Sequence, residues 1–561
     1  MRETLPVLIV GAGPTGLALG CMLRRHQVPF HLIDEAEGPS LWSKAQVIHA
    51  RTLEVFAALG RDLIDPVLQE GKRVHALSMQ TQEGQRLLRI AFDLERDDTA
   101  YPFILNLSQR RTEELLAEHL ARLGGHVERE VRLAGFTQDE GGVTATLVNA
   151  AGREETVRAA WLVGCDGSHS TVRKLLGIDF AGSTYEWRIT QADVRIDWPF
   201  PVADDEILGF VSPDGACGGF PLPGDHRYRL MAFDADTEPT LANFQALVDA
   251  RGPAGTKVSD PAWMVQFTLH CRQVAQYRKG RAFLVGDAAH IHSPAGGQGM
   301  NTGIQDAYNL AWKLALVQAG GGRPELLDSY HAERHPVAAA VLRGTDAATL
   351  GMSTVLKLKN PLAQGLRNQV LRMVTGLGFV QRGAARMLSE LDVGYEDSAL
   401  VGQDRTGLLR TSLRSGQAEA PGLSDWMAFG DGPAPGQRAP DCELPGGGRL
   451  HSLLAGPGHT LLLFDGATAS AAGYDNLLAI RAAALARLGA NVSVHCVVPG
   501  SARPAALHEV PVLLDPEGAL HRRFGARSEC LYLIRPDGYV GYRCQPATLE
   551  PLLRYLDRIF L

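Results

Sequence analysis

The residues with the clearest chemical meaning lie in one segment, Arg281–Leu310. An apolar run there ends in Gly286-Asp287, a loop rich in glycine follows, and a helix is predicted to begin near Met300–Asn301. A strand that ends at Asp287 would place one carboxylate at the carboxyl edge of a sheet. The loop glycines allow the backbone to approach a bound group, and the following helix N-terminus offers N–H groups and a positive dipole end. We therefore predict a site for a polyhydroxylated, electron-accepting ligand.

A second binding pattern begins the chain. The apolar run at residues 5–10 leads into GAGPTG, and an apolar-faced helix and a second apolar run follow. The glycines of the pattern are Gly11, Gly13 and Gly16, and the second apolar run ends at Asp34. A glycine-rich turn between a strand and a helix binds a pyrophosphate, and an acid at this spacing binds a ribose. This end of the chain is predicted to bind the ADP half of a dinucleotide.

Length and composition limit the remaining choices. A chain of 561 residues is too long for one core and predicts roughly two to four domains. The net charge of −7 and the lack of a basic arm exclude an electrostatic site for nucleic acid. No apolar stretch reaches the roughly 18 residues of a membrane span, and GAGPTG interrupts the N-terminal run before it could act as a secretory signal. We expect a cytoplasmic protein.

Cysteines and histidines do not predict a metal centre. The eight cysteines are scattered and no CxxC occurs, which favours thiols in a reducing compartment over disulfides or a zinc site. His290 and His292 form an HxH pair, but no third ligand cluster accompanies them. Hydrogen bonding within the loop or core is the expected role of both histidines.

Other segments predict the elements that must position these sites. An amphipathic helix is predicted at 106–125, and strands near 127–136, 143–149 and 155–164 lead to a third strand end at Asp166-Gly167. Residues 180–275 alternate as an antiparallel sheet does, with a helix near 240–250. Helical patterns follow at 340–430, and a linker rich in glycine and proline precedes a further α/β pattern that ends the chain.

Three of these segments, taken together, resemble a known family. GAGPTG, CDGSHSTVR and GDAAHIHSPAGGQGMNTGIQDAYNLAWKLA occur in the order and at the separations of the three fingerprints of FAD-dependent aromatic hydroxylases. These are the single-component flavoprotein monooxygenases of the para-hydroxybenzoate and phenol hydroxylase type. LLDSYHAERHPVA at 326–338 resembles the helix that follows the flavin loop in that family.

The resemblance implies a role for each matching residue. The residues implied to bind the cofactor are Gly11, Gly13, Pro14, Thr15, Gly16, Asp34, Glu35, Lys44, Gln109, Asp166, Gly167, Asp287, Gly297, Gly299, Met300 and Asn301. Lys44 replaces an arginine common in relatives and loses its two-pronged donor geometry. Lys44 and Arg51 are both cations predicted near the nucleotide fold, with solvated surface charge as the alternative for each. Asp166 and Pro294 are the implied catalytic residues: Asp166 in the motif for FAD and NAD(P)H, and Pro294 beside the flavin ring, where it excludes water.

The resemblance also implies an α/β fold. A Rossmann-like FAD-binding domain would carry an inserted mixed or antiparallel β-sheet substrate domain and a C-terminal thioredoxin-like α/β domain. The predicted sections are 1–179 (first part of the FAD-binding domain), 180–275 (substrate sheet), 276–425 (flavin loop and helical region) and 426–561 (thioredoxin-like domain). Within the substrate sheet, a pocket or alternatively ordinary core is predicted at Phe210, Cys217, Phe220, Pro221 and Leu222.

The C-terminal section lacks the chemistry of a working thioredoxin. PGQRAPD and LIRPDGYVGYR resemble pieces of the tail domain of the larger aromatic hydroxylases, but DGATASAAG stands where thioredoxins carry CxxC. Thiol exchange is therefore not predicted. Packing against the enzyme or a homodimer interface is the predicted role of this section.

The implied activity is hydroxylation of an aromatic substrate, phenolic or polyketide, with NADPH or NADH as reductant and O2 as oxidant. In the family, hydride reduces FAD and a flavin 4a-hydroperoxide transfers one oxygen atom to an electron-rich ring carbon. Three alternatives stay open: an epoxidase or ring-cleaving oxygenase on the same scaffold, a reductase of the same superfamily, and a flavin-binding protein that has lost catalysis. The predicted partners are the small aromatic substrate and O2, without nucleic acid or a membrane.

Overall fold

The structure is a computed structural model, and it describes residues 5–40, 45–92, 98–212, 214–233, 238–293, 296–356, 369, 378–405, 421–467 and 473–561. Lys44 and Pro294, both predicted site residues, lie outside the described residues. Within the described residues, no helix combines the length and the apolar character needed to cross a bilayer.

The first part of the chain supplies the nucleotide-binding pattern and the strands around it. Its elements are, in chain order, β1 (Leu5–Val10), α1 (Pro14–Arg25), β2 (Phe30–Ile33), β3 (Val47–Ile48), α2 (Ala50–Leu59), α3 (Arg61–Glu70), β4 (Lys72–Val74), β5 (Ala76–Thr81), β6 (Arg86–Ala91), β7 (Ile104–Asn106), α4 (Gln109–Arg122), β8 (Val127–Glu128), β9 (Val131–Asp139), β10 (Gly142–Asn149), β11 (Glu154–Gly164) and α5 (Thr171–Leu175).

The middle part contains two strands of 18 residues and the longest helices. Its elements are β12 (Phe180–Asp197), β13 (Glu206–Ser212), β14 (Gly215–Pro221), β15 (Arg227–Phe233), α6 (Leu241–Arg251), β16 (Lys257–Val274), β17 (Arg278–Lys279), β18 (Ala282–Leu284), β19 (His290–Ile291), α7 (Gly299–Gln318), α8 (Asp328–Leu356) and α9 (Gly378–Ser389).

The last part forms a separate α/β layer. Its elements are β20 (Gly402–Arg405), α10 (Leu423–Asp431), α11 (Leu450–Leu454), β21 (His459–Phe464), α12 (Asp475–Leu488), β22 (Val492–Pro499), β23 (Val512–Asp515), α13 (Ala519–Arg523), β24 (Cys530–Ile534), β25 (Val540–Gln545) and α14 (Leu549–Ile559).

The first sheet has the strand order β17-β18-β11-β1-β2-β8, and β10 and β9 extend it from β11. Strand β1 pairs in parallel with β2 and β11, and β11 pairs in parallel with β18. These strands read as continuous apolar runs because helices cover the sheet; α1 packs against both α4 and α7. The parallel order brings the carboxyl ends of β1, β11 and β18 to one edge.

The second sheet joins segments that are distant in sequence. Its order is β19-β16-β12-β15-β14-β13-β5-β6, so strands from residues 76–91 complete a sheet built mainly from 180–274. Strand β5 pairs in parallel with β13. The section predicted as 1–179 is therefore divided between two sheets. The alternation in 76–91 indicates strands, but periodicity carries no information on which remote strand they pair with.

The third large sheet, β20-β25-β24-β21-β22-β23, forms the C-terminal layer. Strands β21, β22 and β23 are parallel, and β24 is antiparallel to β21 and β25. Strand β20 joins this sheet although it lies within the section predicted as 276–425. The core of this layer also includes Trp312 and Leu316 of α7, so the C-terminal layer packs directly on α7.

Candidate functional site

The three sequence fingerprints meet at the carboxyl edge of the first sheet. Val10 is in register with Gly164, and Gly164 with Leu284, so the motifs that follow these strands begin side by side. Gly11 has φ +101°, and a Cβ atom there would lie 2.5 Å from the Cys165 carbonyl oxygen. The first and second fingerprints therefore touch through a position that only glycine fills without strain.

Thr15 connects the first fingerprint to the third. Its Oγ1 atom would lie 2.8 Å from a Cβ atom on Gly286 and 2.5 Å from one on Gly303. Both positions must be glycine for the Thr15 side chain to insert between them. The glycines of the third motif thus have a packing role that the sequence pattern did not reveal.

The glycine-rich turn has the geometry of a nucleotide-binding loop. A Cβ atom on Gly16 would lie 1.9 Å from the Gly11 carbonyl oxygen, while one on Gly13 would meet nothing within 4 Å. Pro14 is the first residue of α1. Asp34 follows β2; its Oδ2 accepts a hydrogen bond of 2.5 Å from the Ala12 N–H, and its neighbour Glu35 is exposed.

Asp166 stabilises the start of a short helix. Its Oδ1 accepts a hydrogen bond from the Ser170 hydroxyl at 2.5 Å, and its Oδ2 accepts from the Thr171 and Val172 N–H groups at 2.7 and 3.1 Å. Burial raises the pKa of this carboxyl. Gly167, with φ +73°, turns the chain between the strand and this helix. The predicted role of Asp166 and Gly167 toward FAD and NAD(P)H stays a prediction, and the structure adds a capping role for Asp166.

Arg173, within the second fingerprint, links it to the third. Its Nη1 donates to the Ala288 carbonyl oxygen at 3.0 Å, and its Nη2 donates to the Ser168 carbonyl oxygen at 2.7 Å. Ala288 follows Asp287, whose side chain is exposed at the sheet edge. Sequence analysis did not assign Arg173 a role, although the arginine is part of the CDGSHSTVR pattern.

Gln109 and Glu113 hold the segment before α2. The Gln109 amide oxygen accepts from the Ala45 N–H at 3.1 Å, and the Gln109 Nε2 donates to Glu113 at 2.9 Å. The other Glu113 oxygen accepts from the Ser40 N–H at 2.9 Å. The predicted contact of Gln109 with FAD stays a prediction; in the structure Gln109 secures the backbone next to Lys44.

Asn301 organises the loop before α7. Its Oδ1 accepts from the His49 N–H at 3.0 Å, and its Nδ2 donates to the carbonyl oxygens of Val47 and Gly297 at 2.9 and 2.8 Å. Gly297 has φ +68° and lies against Val47. Helix α7 then begins at Gly299, as predicted within one residue, and Met300 is buried in its first turn.

A buried ion pair between Asp306 and Arg334 connects α7 to α8 next to this loop. Asp306 accepts hydrogen bonds from the Gly286 N–H at 3.2 Å, from the His290 Nε2 at 2.7 Å and from the Arg334 Nε at 2.6 Å. Burial alone would raise the pKa of Asp306, but Arg334 and His290 hold it below its usual value. Arg334 also donates to the Thr302 carbonyl oxygen at 3.1 Å. No group of three or more metal-ligating side chains occurs in the part of the chain that the structure describes.

Comparison with known proteins assigns this site to a family. A family model described as an FAD binding domain matches residues 4–345. The chain is 37% identical to 6-methylpretetramide 4-monooxygenase of Streptomyces rimosus, over 99% of this chain and 93% of that protein. It is 31% identical to pentachlorophenol 4-monooxygenase of Sphingobium chlorophenolicum, over 99% and 96%. The solved structure of OxyS anhydrotetracycline hydroxylase from Streptomyces rimosus has a TM-score of 0.72 at 31% identity, covering 100% of this chain and 99% of that one.

The chain belongs to the FAD-dependent aromatic monooxygenases. The predicted family, α/β fold class and FAD cofactor are thereby confirmed. The assignment rests on a match along nearly the whole chain, so it includes the C-terminal section as well as the three fingerprints.

The residues of this monooxygenase fit FAD. The space beside Gly13, at the N-terminus of α1, is open to a bound group. Among the described residues, no side chain caps the first turn of α1 or of α7. The N–H groups of both helix starts can therefore bind phosphate or flavin oxygens.

The structure divides the predicted substrate pocket of the monooxygenase between two faces of the second sheet. Phe210 and Cys217 lie opposite each other in register and pack in the core beneath α6, with Phe244. Phe220 lies on the other face, where it packs against an apolar cluster that includes Val47. Phe210 and Cys217 are thus core residues; alternation identified the strands but not which face meets the flavin loop.

The other two predicted pocket residues lie at the end of β14: Pro221 is its last residue, and Leu222 follows it. The Pro221 carbonyl oxygen accepts from the Asn106 Nδ2 at 2.9 Å, and the Leu222 N–H donates to the Arg227 carbonyl oxygen at 2.8 Å. Asn106 belongs to β7, so Pro221 ties the substrate sheet to the first part of the chain. Their contact with a substrate stays a prediction.

Glu390 is a buried acid that sequence analysis missed. One carboxyl oxygen accepts from the Gln305 Nε2, and the other has no partner among the described residues. Burial raises the pKa of Glu390 to about 8, so the carboxyl group is mainly protonated at neutral pH. Gln305 lies in α7, next to Asp306. No sequence motif marks Glu390, because its environment comes from segments 85 residues apart.

We expect the Glu390→Gln variant to be less sensitive to alkaline pH than the wild-type enzyme. A carboxyl whose pKa is higher in the folded state binds more protons there, so stability falls as pH rises from about 4.5 through about 8. Glutamine keeps the shape and has no proton to lose. One pKa unit corresponds to roughly 1.4 kcal/mol. Between the two pH values, the wild type should therefore lose more folding stability than the variant by at least about 1 kcal/mol. Urea unfolding at pH 5.5 and pH 8.5 measures it.

The matched control is Glu550→Gln, since the one ion pair of Glu550 among the described residues is an exposed pair with Arg554. Its stability should follow that of the wild type at both pH values. If Glu390→Gln loses as much stability between the two pH values as the wild type does, Glu390 does not titrate in this range.

Proposed function

We propose that this monooxygenase uses NAD(P)H and O2 to hydroxylate a phenolic or polycyclic aromatic substrate, of the polyketide type. The observation that supports the proposal most directly is the placement of Phe220, on one face of the second sheet, against an apolar cluster that includes Val47, the residue that lies beside Gly297. Relatives named for tetracycline-type and chlorophenol substrates support an aromatic ring system.

The chain's own residues would hold and orient the reactants. Asp34 would bind the adenosine ribose and Asp287 the ribitol chain, while Asn301 fixes the loop that meets the flavin ring. The N–H groups at the start of α7 would stabilise negative charge there. Bound FAD supplies hydride acceptance and activation of dioxygen, for which the protein contributes positioning and exclusion of water. Pro294 beside the ring and Asp166 in reduction remain proposals.

Two turnover experiments test this function. Purified enzyme with FAD is screened for NADPH and NADH oxidation stimulated by phenols and fused-ring aromatics, and products formed under 18O2 are analysed by mass and structure. One labelled oxygen on an aromatic carbon is expected. An epoxide or ring-opened product would favour the alternative oxygenases. Complete turnover without oxygen would identify a reductase, and flavin that stays oxidised with every compound would indicate a binding protein.

We expect Asp287→Ala to weaken FAD binding. Loss of a hydrogen bond between the carboxylate and a ribitol hydroxyl would cost roughly 1.5–3 kcal/mol, a rise in the FAD dissociation constant of roughly 10- to 150-fold. Flavin fluorescence during titration of apoprotein measures it. The control is Asp139→Ala, an exposed carboxylate on the β9–β10 hairpin. Equal FAD affinity in Asp287→Ala and the wild type would contradict the assignment.

For location and assembly, we propose a cytoplasmic enzyme that forms a homodimer through its C-terminal section. The eight cysteines are free thiols and seven of them are buried, which supports a reducing compartment. The homodimer rests on the family resemblance, and light scattering of the purified protein tests it.

A further inference from the structure

Two histidines near the start of α8 lie on one face of that helix. His331 and His335 are four residues apart, and this spacing places both side chains on the same side of a helix, one turn apart. It is also the spacing of the histidine pairs that bind zinc on helices. Ala332 stands where metalloproteases carry their catalytic glutamate, so the pair offers metal ligands without hydrolytic chemistry.

The two imidazole rings are separated as they would be around a shared metal ion. Their centres are 4.9 Å apart and their planes are inclined by 57°. Two imidazoles that bind one ion at about 2.0–2.1 Å have ring centres roughly 4.5–5.2 Å apart when the angle between the two bonds is roughly 90–110°. The folded protein therefore already holds the pair at a chelating distance.

Neighbouring residues fix the position of both rings. The Tyr277 ring contacts the rings of His331 and His335, with centres 5.8 and 5.4 Å away. The Gln273 Nε2 donates to the Tyr277 hydroxyl at 2.8 Å and to the His335 carbonyl oxygen at 2.9 Å. Since the rings are held by their surroundings, binding of an ion would require little rearrangement.

Each histidine keeps a nitrogen that can act as a ligand. The His331 Nδ1 is buried and has no hydrogen-bond partner among the residues that the structure describes. The His335 imidazole interacts with the Val274 carbonyl group. A carbonyl next to one ring nitrogen favours a proton there and leaves the lone pair on the other nitrogen, which is the usual arrangement for a histidine that binds a metal.

A cavity provides room for the remaining ligands of an ion. It has a volume of about 450 Å³, opens beside His331, and has polar side chains in its lining, including Gln276 and Asp328. The Asp328 carboxylate is already paired with Arg278 at 2.6 Å. Because no third metal-ligating side chain joins the pair in the described parts of the chain, water in this cavity would complete the coordination.

We propose that His331 and His335 form a two-histidine binding site for a late first-row divalent cation, with Zn²⁺ as its type. Imidazole nitrogen suits Zn²⁺, Cu²⁺ and Ni²⁺, whereas Mg²⁺ and Ca²⁺ prefer oxygen ligands. The site goes beyond the proposed hydroxylation and does not depend on it.

Zinc titration of the full-length, FAD-bound enzyme tests the site. Enzyme purified without a histidine tag is treated with a chelator, and isothermal titration with ZnCl2 at neutral pH measures the stoichiometry and the affinity. We expect one Zn²⁺ per chain at this site. The His331→Gln and His335→Gln variants should each bind it at least about 10-fold more weakly, and MgCl2 should not bind to the site.

The matched control is His508→Gln, which should bind Zn²⁺ as the wild type does. His508 is an exposed histidine whose one ion pair among the described residues is with Glu509. Circular dichroism and FAD content verify that each variant is folded. X-ray absorption of the zinc-loaded wild type should show two imidazole nitrogens at about 2.0–2.1 Å from the metal; this measurement and His331→Gln decide the question if His335→Gln does not fold.

Three results would overturn the proposal. The first is wild-type enzyme that binds no Zn²⁺, which would leave the two histidines as packing partners of Tyr277. The second is an affinity that only one of the two variants lowers, because a chelate needs both rings. The third is an equal loss of affinity in His508→Gln, which would indicate binding spread over surface histidines.

Discussion

The Arg535→Met variant is expected to lose about 3–5 kcal/mol of folding stability, the typical cost of removing one partner from a buried ion pair. The Arg535 guanidinium is fully buried and donates to both oxygens of Glu333 at 2.7 and 2.9 Å. It also donates to Asp537 at 3.0 and 2.5 Å. Methionine would leave two buried carboxylates with one lysine, Lys313, beside Glu333 at 2.7 Å.

This cluster joins the C-terminal layer to the FAD-binding part. Arg535 and Asp537 follow β24, whereas Glu333 lies in α8, beside the Arg334 that binds Asp306 under the flavin loop. The Arg51 Nη2 donates to the Asp537 carbonyl oxygen at 2.7 Å. Arg51, predicted to lie near the nucleotide or in solvent, is therefore buried at the contact between the two parts.

Urea and thermal unfolding of the FAD-bound enzyme measure the effect. Arg554→Met is the matched control. In the part of the chain that the structure describes, Arg554 pairs only with exposed Glu550, so the substitution should change stability by less than about 0.5 kcal/mol. FAD release at lower urea in Arg535→Met than in the wild type would show that the C-terminal layer supports the flavin loop. Equal stability of Arg535→Met and Arg554→Met would contradict this account of the cluster.

The Gly13→Ala variant is expected to fold normally and to bind FAD at least about 10-fold more weakly. Gly13 has φ −73° and its Cβ position is open, so the fold itself does not require glycine there. The methyl group would occupy space next to the first N–H groups of α1, where the backbone must approach the pyrophosphate. The change is therefore expected to weaken cofactor binding without disturbing the fold.

Circular dichroism, unfolding of the apoprotein and FAD titration separate the two effects. Gly135→Ala, in β9, is the control, because its Cβ position is also open and lies outside the nucleotide loop. Gly16→Ala should fail to form the turn at all, since its Cβ would lie 1.9 Å from the Gly11 carbonyl oxygen. FAD affinity in Gly13→Ala equal to that of the wild type would place the pyrophosphate elsewhere.

The resemblance of three sequence motifs to a known family was sufficient for the family, the fold class and the FAD cofactor. Gly11, Gly13 and Asp34, for example, sit where a strand, a turn and a helix follow one another within 30 residues. The start of α7 and the strands of the second sheet were also predicted, because periodicity and glycine or proline breaks are properties of short segments.

Side-chain partners across the fold required the tertiary structure. Strands β5 and β6 belong to a sheet built mainly from residues far along the chain. Phe210 lies on the face that packs against α6, and Arg51 donates a hydrogen bond to the C-terminal layer. Register and strand order decide which face a side chain occupies, and neither is encoded in periodicity. A buried polar group such as Glu390 acquires its chemistry from residues far away in the chain, so only the folded protein reveals which of its atoms lacks a partner among the described residues.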